Sequence, residues 1–178
     1  MCPSAPNFES NNHALQTTHL CKTISANLFE LKLTLALAET STGGLIANML
    51  TDQPGSSSFF NGSIVAYSYD SLSDILMVKS RTLEQHGAVS EATVTEMAVN
   101  VQRILNADIG LAICGITGPG GGTAQKPVGT CWLAISNEKD MVTHHAVFDG
   151  DRITIKNKMA QHALTGLTNF LESHYPKP

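Results

Sequence analysis

Short apolar runs bounded by polar or turn residues recur along the chain, a pattern typical of buried β-strands. The first two are "LTLALA" at 33–38 and "GSIVAYS" at 62–68. The other three lie in the second half of the chain: "ADIGLAICGIT" at 107–117, "TCWLAIS" at 130–136 and "VTHHAVF" at 142–148. We therefore predict five strands, the last two joined by the turn "NEKD".

Between these runs, apolar residues recur three and four positions apart, which indicates helices with one buried face. Two helices have recognisable ends, because serine is a favoured N-cap and glycine often follows a helix. Ser80 is the predicted cap of a short helix that Gly87 ends, and Ser90 is the predicted cap of a longer helix up to Leu105. The remaining predicted helices cover residues 13–29, 43–50, 71–78 and 153–171.

The arrangement of these elements predicts one domain. Helices and strands are interspersed without an internal repeat or linker, which favours a single-domain α/β/α sandwich with a mixed sheet. Residues 1–11 are polar and contain two prolines, so we predict a disordered tail there and a domain over residues 12–178.

Composition narrows the possible partners. Hydrophobic residues make up 42% of the chain and charged ones 15%, with a formal net charge of −4. A chain without a basic field is a poor ligand for nucleic acid, so we expect no nucleic-acid partner. No apolar run is long enough to span a membrane and the N-terminus has no signal pattern, so we expect a cytoplasmic protein without a membrane partner.

The cysteines and histidines give no pattern of a metal site. Cys2, Cys21, Cys114 and Cys131 are scattered without a CxxC pair, so we expect buried free thiols rather than a zinc or disulfide framework. The adjacent histidines at 144 and 145 lie on a predicted strand, where successive side chains point to opposite faces. We predict neither a metal nor a cofactor.

Three loops that follow predicted strands carry small, hydroxyl or glycine residues: 40–44, 117–123 and 149–152. In open α/β sheets, ligands bind where strand ends meet helix starts, because backbone N–H groups there are unpaired. In "TSTGG", at 40–44, the hydroxyl groups could cap the following helix or bind a ligand oxygen. The local pattern leaves both alternatives open.

The glycine-rich stretch "GPGGGTAQKPVG" at 118–129 favours a binding role more strongly. Five glycines in 12 residues are costly in conformational entropy, and the spacing matches neither a Walker motif nor GxGxxG. A flexible hairpin tip is the alternative interpretation, but Lys126 next to Pro127 favours a fixed cation in an anion-binding loop. Arg152 is either a clamp for phosphate or carboxylate or a solvated surface residue.

Six motifs together resemble the CinA C-terminal domain family, in order and spacing, over residues 14–172. They are "AETSTGG", "PGSSSFF", "GSIVAYS", "HGAVSEATVTEMA", "GITGPGGGTAQKPVGT" and "FDGDR". The resemblance implies the fold of that family, a homo-oligomer, and hydrolysis of the amide of nicotinamide mononucleotide. Active members look like metal-independent amidohydrolases with a serine nucleophile and a lysine base.

The chain departs from the family pattern at both of these catalytic positions. Thr40 stands where the pattern AESxTGG has serine, with Ser41 one step along, and Leu72 stands where the pattern YSxxxK has lysine. Leucine cannot accept a proton, and loss of an activating base typically lowers the rate by orders of magnitude. Tyr67, Tyr69, Asp70 and Glu39 are the alternative bases nearby in the sequence.

Two functions remain open from the sequence: an amidohydrolase with reduced or lost activity, and a pseudoenzyme that binds a phosphate-bearing, nucleotide-like ligand. The candidate catalytic residues are Thr40, Ser41 and Tyr67. The resemblance and the loop chemistry together suggest these substrate-binding residues: Glu39, Thr42, Gly43, Gly44, Thr117, Gly118, Gly120, Gly121, Gly122, Lys126 and Arg152. A role in DNA repair or competence, which the family name suggests, has no physical support in the acidic composition.

Overall fold

The structure is a computed structural model that describes the backbone of residues 8–176 and the side chains of residues 15–176. Among residues 8–176, five strands form one sheet, in the order β2-β1-β3-β4-β5. The pairs β2/β1 and β1/β3 are parallel, whereas β3/β4 and β4/β5 are antiparallel. The strands are β1 (Leu35–Glu39), β2 (Phe60–Val65), β3 (Ile109–Gly115), β4 (Thr130–Ser136) and β5 (Met141–Val147).

In the part of the chain that the structure describes, six helices flank this sheet, together with one 3-10 turn at Ser56–Ser58. They are α1 (Phe8–Leu31), α2 (Leu45–Thr51), α3 (Tyr69–Asp74), α4 (Ser80–His86), α5 (Glu91–Ile104) and α6 (Arg152–His174). The predicted α/β fold with a mixed sheet is confirmed. Within the described residues, no helix combines the length and apolar character needed to cross a membrane.

The two faces of the sheet differ in side-chain size. One face presents large side chains, such as Leu37, Leu111 and Ile113, to a core formed with α1, α2 and α6. The other face presents mainly alanines from β1, β3 and β4 to α3, α4 and α5. Because adjacent strand residues point to opposite faces, both cores are built from the same strands.

Helix ends follow the predictions in part. Ser90 caps α5, since its Oγ accepts the Thr93 N–H at 3.2 Å, and Gly87 ends α4 at a φ of 74°. The prediction for Ser80 is wrong, because Lys79 is the N-cap residue of α4 and Ser80 lies within the helix. The helix predicted over 71–78 instead covers 69–74, because Ser68 forms a capping box with Ser71 and fixes an earlier start.

The first helix, as far as the structure describes it, covers Phe8–Leu31 and so includes residues before the predicted start at 13. The rest of the tail, residues 1–7, lies outside the described residues. Cys21, Cys114 and Cys131 are buried free thiols, and Cys2 also lies outside the described part. Burial raises the pKa of the Cys21 thiol to about 11 and that of Cys114 to about 12, so both stay protonated at neutral pH.

Candidate active site

A cavity of about 260 Å³ lies at the carboxyl ends of the three parallel strands. β1 runs between β2 and β3, so the loops that follow these strands meet at one edge of the sheet. The wall is formed by these loops, by the start of α6 and by the α4–α5 connection. The lining residues among the predicted site residues are Thr40, Ser41, Tyr67, Thr117, Gly118, Gly120, Gly121 and Arg152.

The helix after β1 is capped by a carboxylate and not by a hydroxyl. Glu39 is fully buried, and its carboxylate accepts the N–H groups of Gly44 at 3.0 Å, Ile46 at 3.3 Å and Ala47 at 2.9 Å. The glycine pair is required for backbone reasons, since Gly43 and Gly44 have φ values of 66° and 89°. Glu39, Gly43 and Gly44, proposed from the sequence as substrate-binding residues, therefore shape the loop and do not line the cavity.

The three hydroxyl side chains of this loop have different environments. Thr40 Oγ1 donates to the carbonyl oxygen of Ile113 at 3.4 Å, and Ser41 Oγ donates to the sulfur of Met159 at 3.9 Å. Thr42 is fully buried outside the cavity lining, and its hydroxyl has no partner among the described residues. Within residues 15–176, neither Thr40 nor Ser41 has a hydrogen bond to a titratable side chain.

Leu72 lines the same cavity, at the position where the family pattern has lysine. Its side chain is only 2% exposed and belongs to the alanine-side core with Leu76 and Val78. This side of the cavity is therefore apolar. A proton acceptor is absent from this position because leucine has no titratable group.

Arg152 joins two sides of the cavity from the first residue of α6. Its guanidinium donates to the carbonyl oxygen of Gly118 at 2.7 Å and to the phenol oxygen of Tyr67, also at 2.7 Å. Through Arg152 the structure brings together the glycine-rich loop, residues 117–126, and Tyr67, which lies in the loop after β2. A guanidinium has five N–H donors, so two bonds leave donor capacity for an anion.

The glycine-rich loop lines the cavity only through its first half. Thr117, which is 4% exposed, lies there with Gly118, Gly120 and Gly121, whereas Gly122 lies outside. Lys126 also lies outside, because its Nζ donates to the carbonyl oxygen of His86 at 2.6 Å. The lysine that was predicted to face an anion is therefore bound to protein backbone.

Other lining residues were not predicted as binding residues. Tyr69, considered from the sequence only as a substitute base, lines the cavity with a side chain 56% exposed, and its oxygen accepts the Ala88 N–H at 3.3 Å. Ala88 and Val89 complete this wall from the α4–α5 connection. The motif "HGAVSEATVTEMA" contains both residues, but it did not place them at the site, because their position there depends on how the short helices pack against α5.

Comparison with known proteins gives a consistent set of relatives. A family model described as the CinA C-terminal domain matches residues 17–171. A putative competence-damage inducible protein of Thermoanaerobacter sp. is 43% identical over 140 residues, which cover 79% of this chain and 34% of the relative. A CinA-like protein of Thermotoga maritima is 44% identical over 141 residues, with 79% and 34% covered. The chain thus spans about a third of the length of these relatives.

Solved structures share the fold. The competence damage-inducible protein A of Klebsiella pneumoniae superposes with a TM-score of 0.86 at 33% identity, over 89% of this chain and 98% of that one. A competence-damaged protein (CinA) superfamily protein of Escherichia coli gives a TM-score of 0.84 at 31% identity, over 86% and 90% of the two chains.

Proposed function

Because the chain belongs to the CinA C-terminal domain family, we propose that its cavity binds a phosphate-bearing nucleotide of the nicotinamide mononucleotide type, with amide hydrolysis reduced or lost. One observation carries the proposal. The cavity combines an arginine and a glycine-rich loop with two hydroxyl groups whose partners are a carbonyl oxygen and a thioether. The groups that would bind a ligand are present, and no described residue hydrogen-bonded to these two hydroxyl groups is one that would activate a nucleophile.

Arg152 and the glycine-rich loop beside it support the proposal that the cavity binds a nucleotide. A guanidinium pairs with the oxygens of phosphate in a fixed geometry, and glycines let a phosphate approach the backbone. Tyr67 and Tyr69 are 62% and 56% exposed at the cavity, where an aromatic ring of the ligand can stack on them. An anion and an aromatic ring are the two recognition elements of such a mononucleotide.

Thr40, Ser41 and Leu72 support the proposal that amide hydrolysis is reduced or lost. Amide hydrolysis by a hydroxyl nucleophile needs a base that takes the hydroxyl proton as the new bond forms. Neither a backbone carbonyl nor a thioether does this at neutral pH, and leucine replaces the lysine of the family pattern. Tyr67 and Tyr69 also line the cavity, and the phenol oxygen of Tyr67 accepts a hydrogen bond from Arg152.

The test measures binding and hydrolysis separately. Calorimetry with nicotinamide mononucleotide should give saturable binding to the wild type, and an ammonia assay should give a rate lower than that of an active family member by about three orders of magnitude. The double variant Thr40→Ser with Leu72→Lys should release ammonia faster than the wild type, because it restores both family residues.

The controls separate chemistry from folding. Leu72→Met keeps the apolar packing without adding a base, so its ammonia rate should equal that of the wild type. Thermal melting of each variant identifies any that fails to fold, since a lysine in the apolar core is costly. Wild-type turnover equal to that of the active relative would refute the proposed loss of hydrolysis. The absence of any binding of nicotinamide mononucleotide would refute the proposed ligand.

A further inference from the structure

Lys126 does not line the cavity, and its ammonium group binds the end of a neighbouring helix. We infer that Lys126 is a positioning residue: it fixes the glycine-rich loop, residues 117–126, to the α4–α5 connection and so sets the shape of the ligand site without touching the ligand. The inference rests on the proposed function for the identity of the ligand. Its structural part, the fixation of the loop, stands independently.

The bond is well placed electrostatically. Lys126 Nζ donates at 2.6 Å to the carbonyl oxygen of His86, the last residue of α4. The final carbonyls of a helix lack partners within it and carry partial negative charge, so a cation there is stabilising. A single charged donor thus bonds a terminal carbonyl of α4 and anchors the loop.

The backbone around Lys126 is itself ordered. Its N–H donates to the Thr123 hydroxyl at 3.0 Å, and its carbonyl oxygen accepts the Thr123 N–H at 2.8 Å. Pro127 follows and restricts the backbone of the preceding residue. The lysine stem therefore starts from a closed turn, and its bond to His86 fixes the position of that whole turn.

Tyr69, the first residue of α3, contacts the same connection between α4 and α5. Tyr69 Oη accepts the N–H of Ala88, and a Cβ built on Gly87 would lie 3.7 Å from both Lys126 Nζ and Tyr69 Oη. The connection at 86–88 thus bonds to the glycine-rich loop on one side and to the residue that opens α3 on the other. Glycines contribute no side-chain packing and lose much conformational freedom on ordering, so the position of the loop depends on polar bonds such as this one and the bond from Arg152 to the Gly118 carbonyl oxygen.

A direct phosphate contact and a positioning role predict different binding data. A cation that contacts phosphate discriminates between a nucleotide and the nucleoside that lacks the phosphate. A residue that only positions the loop affects both ligands by the same factor. Nicotinamide mononucleotide and nicotinamide riboside are therefore the two probes.

The experiment compares Lys126→Met with the wild type. The variant keeps the length of the stem and removes the charge, so the Kd of both probes should rise by the same factor, about tenfold. In the ligand-free protein, hydrogen exchange should become faster at amides in residues 117–126 and 86–89. Lys126→Arg keeps a cationic donor and should keep the Kd values and the exchange rates of the wild type.

Three further variants complete the experiment. Lys139→Met removes an exposed lysine in the turn between β4 and β5 and should change neither binding nor exchange. Arg152→Gln removes the cation that lines the cavity and should weaken the mononucleotide more than the riboside. Lys126→Gln is a second neutral variant that repeats the test if Lys126→Met does not fold.

The outcomes distinguish this inference from the proposed function. Loss of mononucleotide binding alone, with unchanged exchange, would show that Lys126 contacts phosphate and would overturn the positioning role. Unchanged exchange with unchanged binding would overturn it as well. If the wild type binds neither probe, the proposed ligand is wrong, and the exchange comparison alone decides whether Lys126 fixes the loop.

Discussion

Glu39 lies fully buried at the carboxyl end of β1, where its carboxylate accepts three N–H groups from the start of α2. The first N–H groups of a helix have no partner within it, and hydroxyl side chains commonly supply one. Here one carboxylate supplies the acceptors for all three. Thr40 and Ser41 are consequently not needed as caps, and their hydroxyl groups remain at the cavity.

We predict that Glu39→Gln lowers the free energy of unfolding by about 3 kcal/mol, because the amide nitrogen can only donate and would face N–H groups. Urea denaturation followed by circular dichroism measures this loss. Glu84→Gln makes the same chemical change at an exposed position of α4 and should shift the value by less than about 0.5 kcal/mol. Equal effects of the two substitutions would contradict the role of Glu39.

At the scale of elements, the close approach of α5 to β3 depends on small residues. Gly110 and Ala112 face α5, whereas Leu111 and Ile113 face the core on the other side of the sheet. A Cβ at Gly110 would lie 2.1 Å from the carbonyl oxygen of Ala98, within the backbone of α5. The helix can therefore lie this close to the sheet only because residue 110 has no side chain.

We predict that Gly110→Ala lowers the melting temperature by about 6 °C or more, since overpacking against backbone costs about 2–3 kcal/mol. A thermal melt at low scan rate measures the change. Gly120→Ala is the matched control, because a Cβ there would have no described neighbour within 4 Å. A variant at 110 as stable as the variant at 120 would show that α5 can move away from the sheet without cost.

At the scale of the molecule, the two hydrophobic cores share the strands of one sheet. The core with α1, α2 and α6 uses odd-numbered residues of β3, and the core with α5 uses the even-numbered residues of the same strand. Loss of either core would leave one face of every central strand exposed to water. The two layers should therefore unfold together.

Trp132 provides a direct test of this cooperativity, since it is the single tryptophan of the chain. It packs against the α5-side core, with its ring centroid 4.6 Å from that of His145. Its fluorescence should change at the same urea concentration as the far-UV circular dichroism, which is dominated by all the helices. A fluorescence midpoint separated from the dichroism midpoint would show that the layers unfold in turn.

The sequence was sufficient for most of the elements because their signals are local. Apolar alternation and three-to-four spacing depend on neighbours within one turn or one strand, and the cap at Ser90 depends on a residue three positions away. The same holds for the placement of the three loops at strand ends. The earlier start of α3 at Tyr69 was missed because the capping pair at 68 and 71 outweighed the apolar spacing further along.

The candidate site was predictable only as a set of loops. Its motifs identified Thr40, Thr117 and Arg152, all of which line the cavity. The sequence left the partners of these side chains open, because Arg152 reaches Tyr67 across 85 positions of the chain and Lys126 reaches His86 across 40. Such bonds depend on the distances that packing creates, which no local pattern contains.

The amino-acid sequence by itself determined the α/β elements, the loops at the strand ends and the replacement of lysine by Leu72. Only the tertiary structure decided that Glu39 caps α2 and that Lys126 holds the glycine-rich loop from outside the cavity. The physical reason is the same for both residues. A buried or partly buried polar group takes the partner that folding places within about 3 Å, and its charge alone predicts several partners equally well.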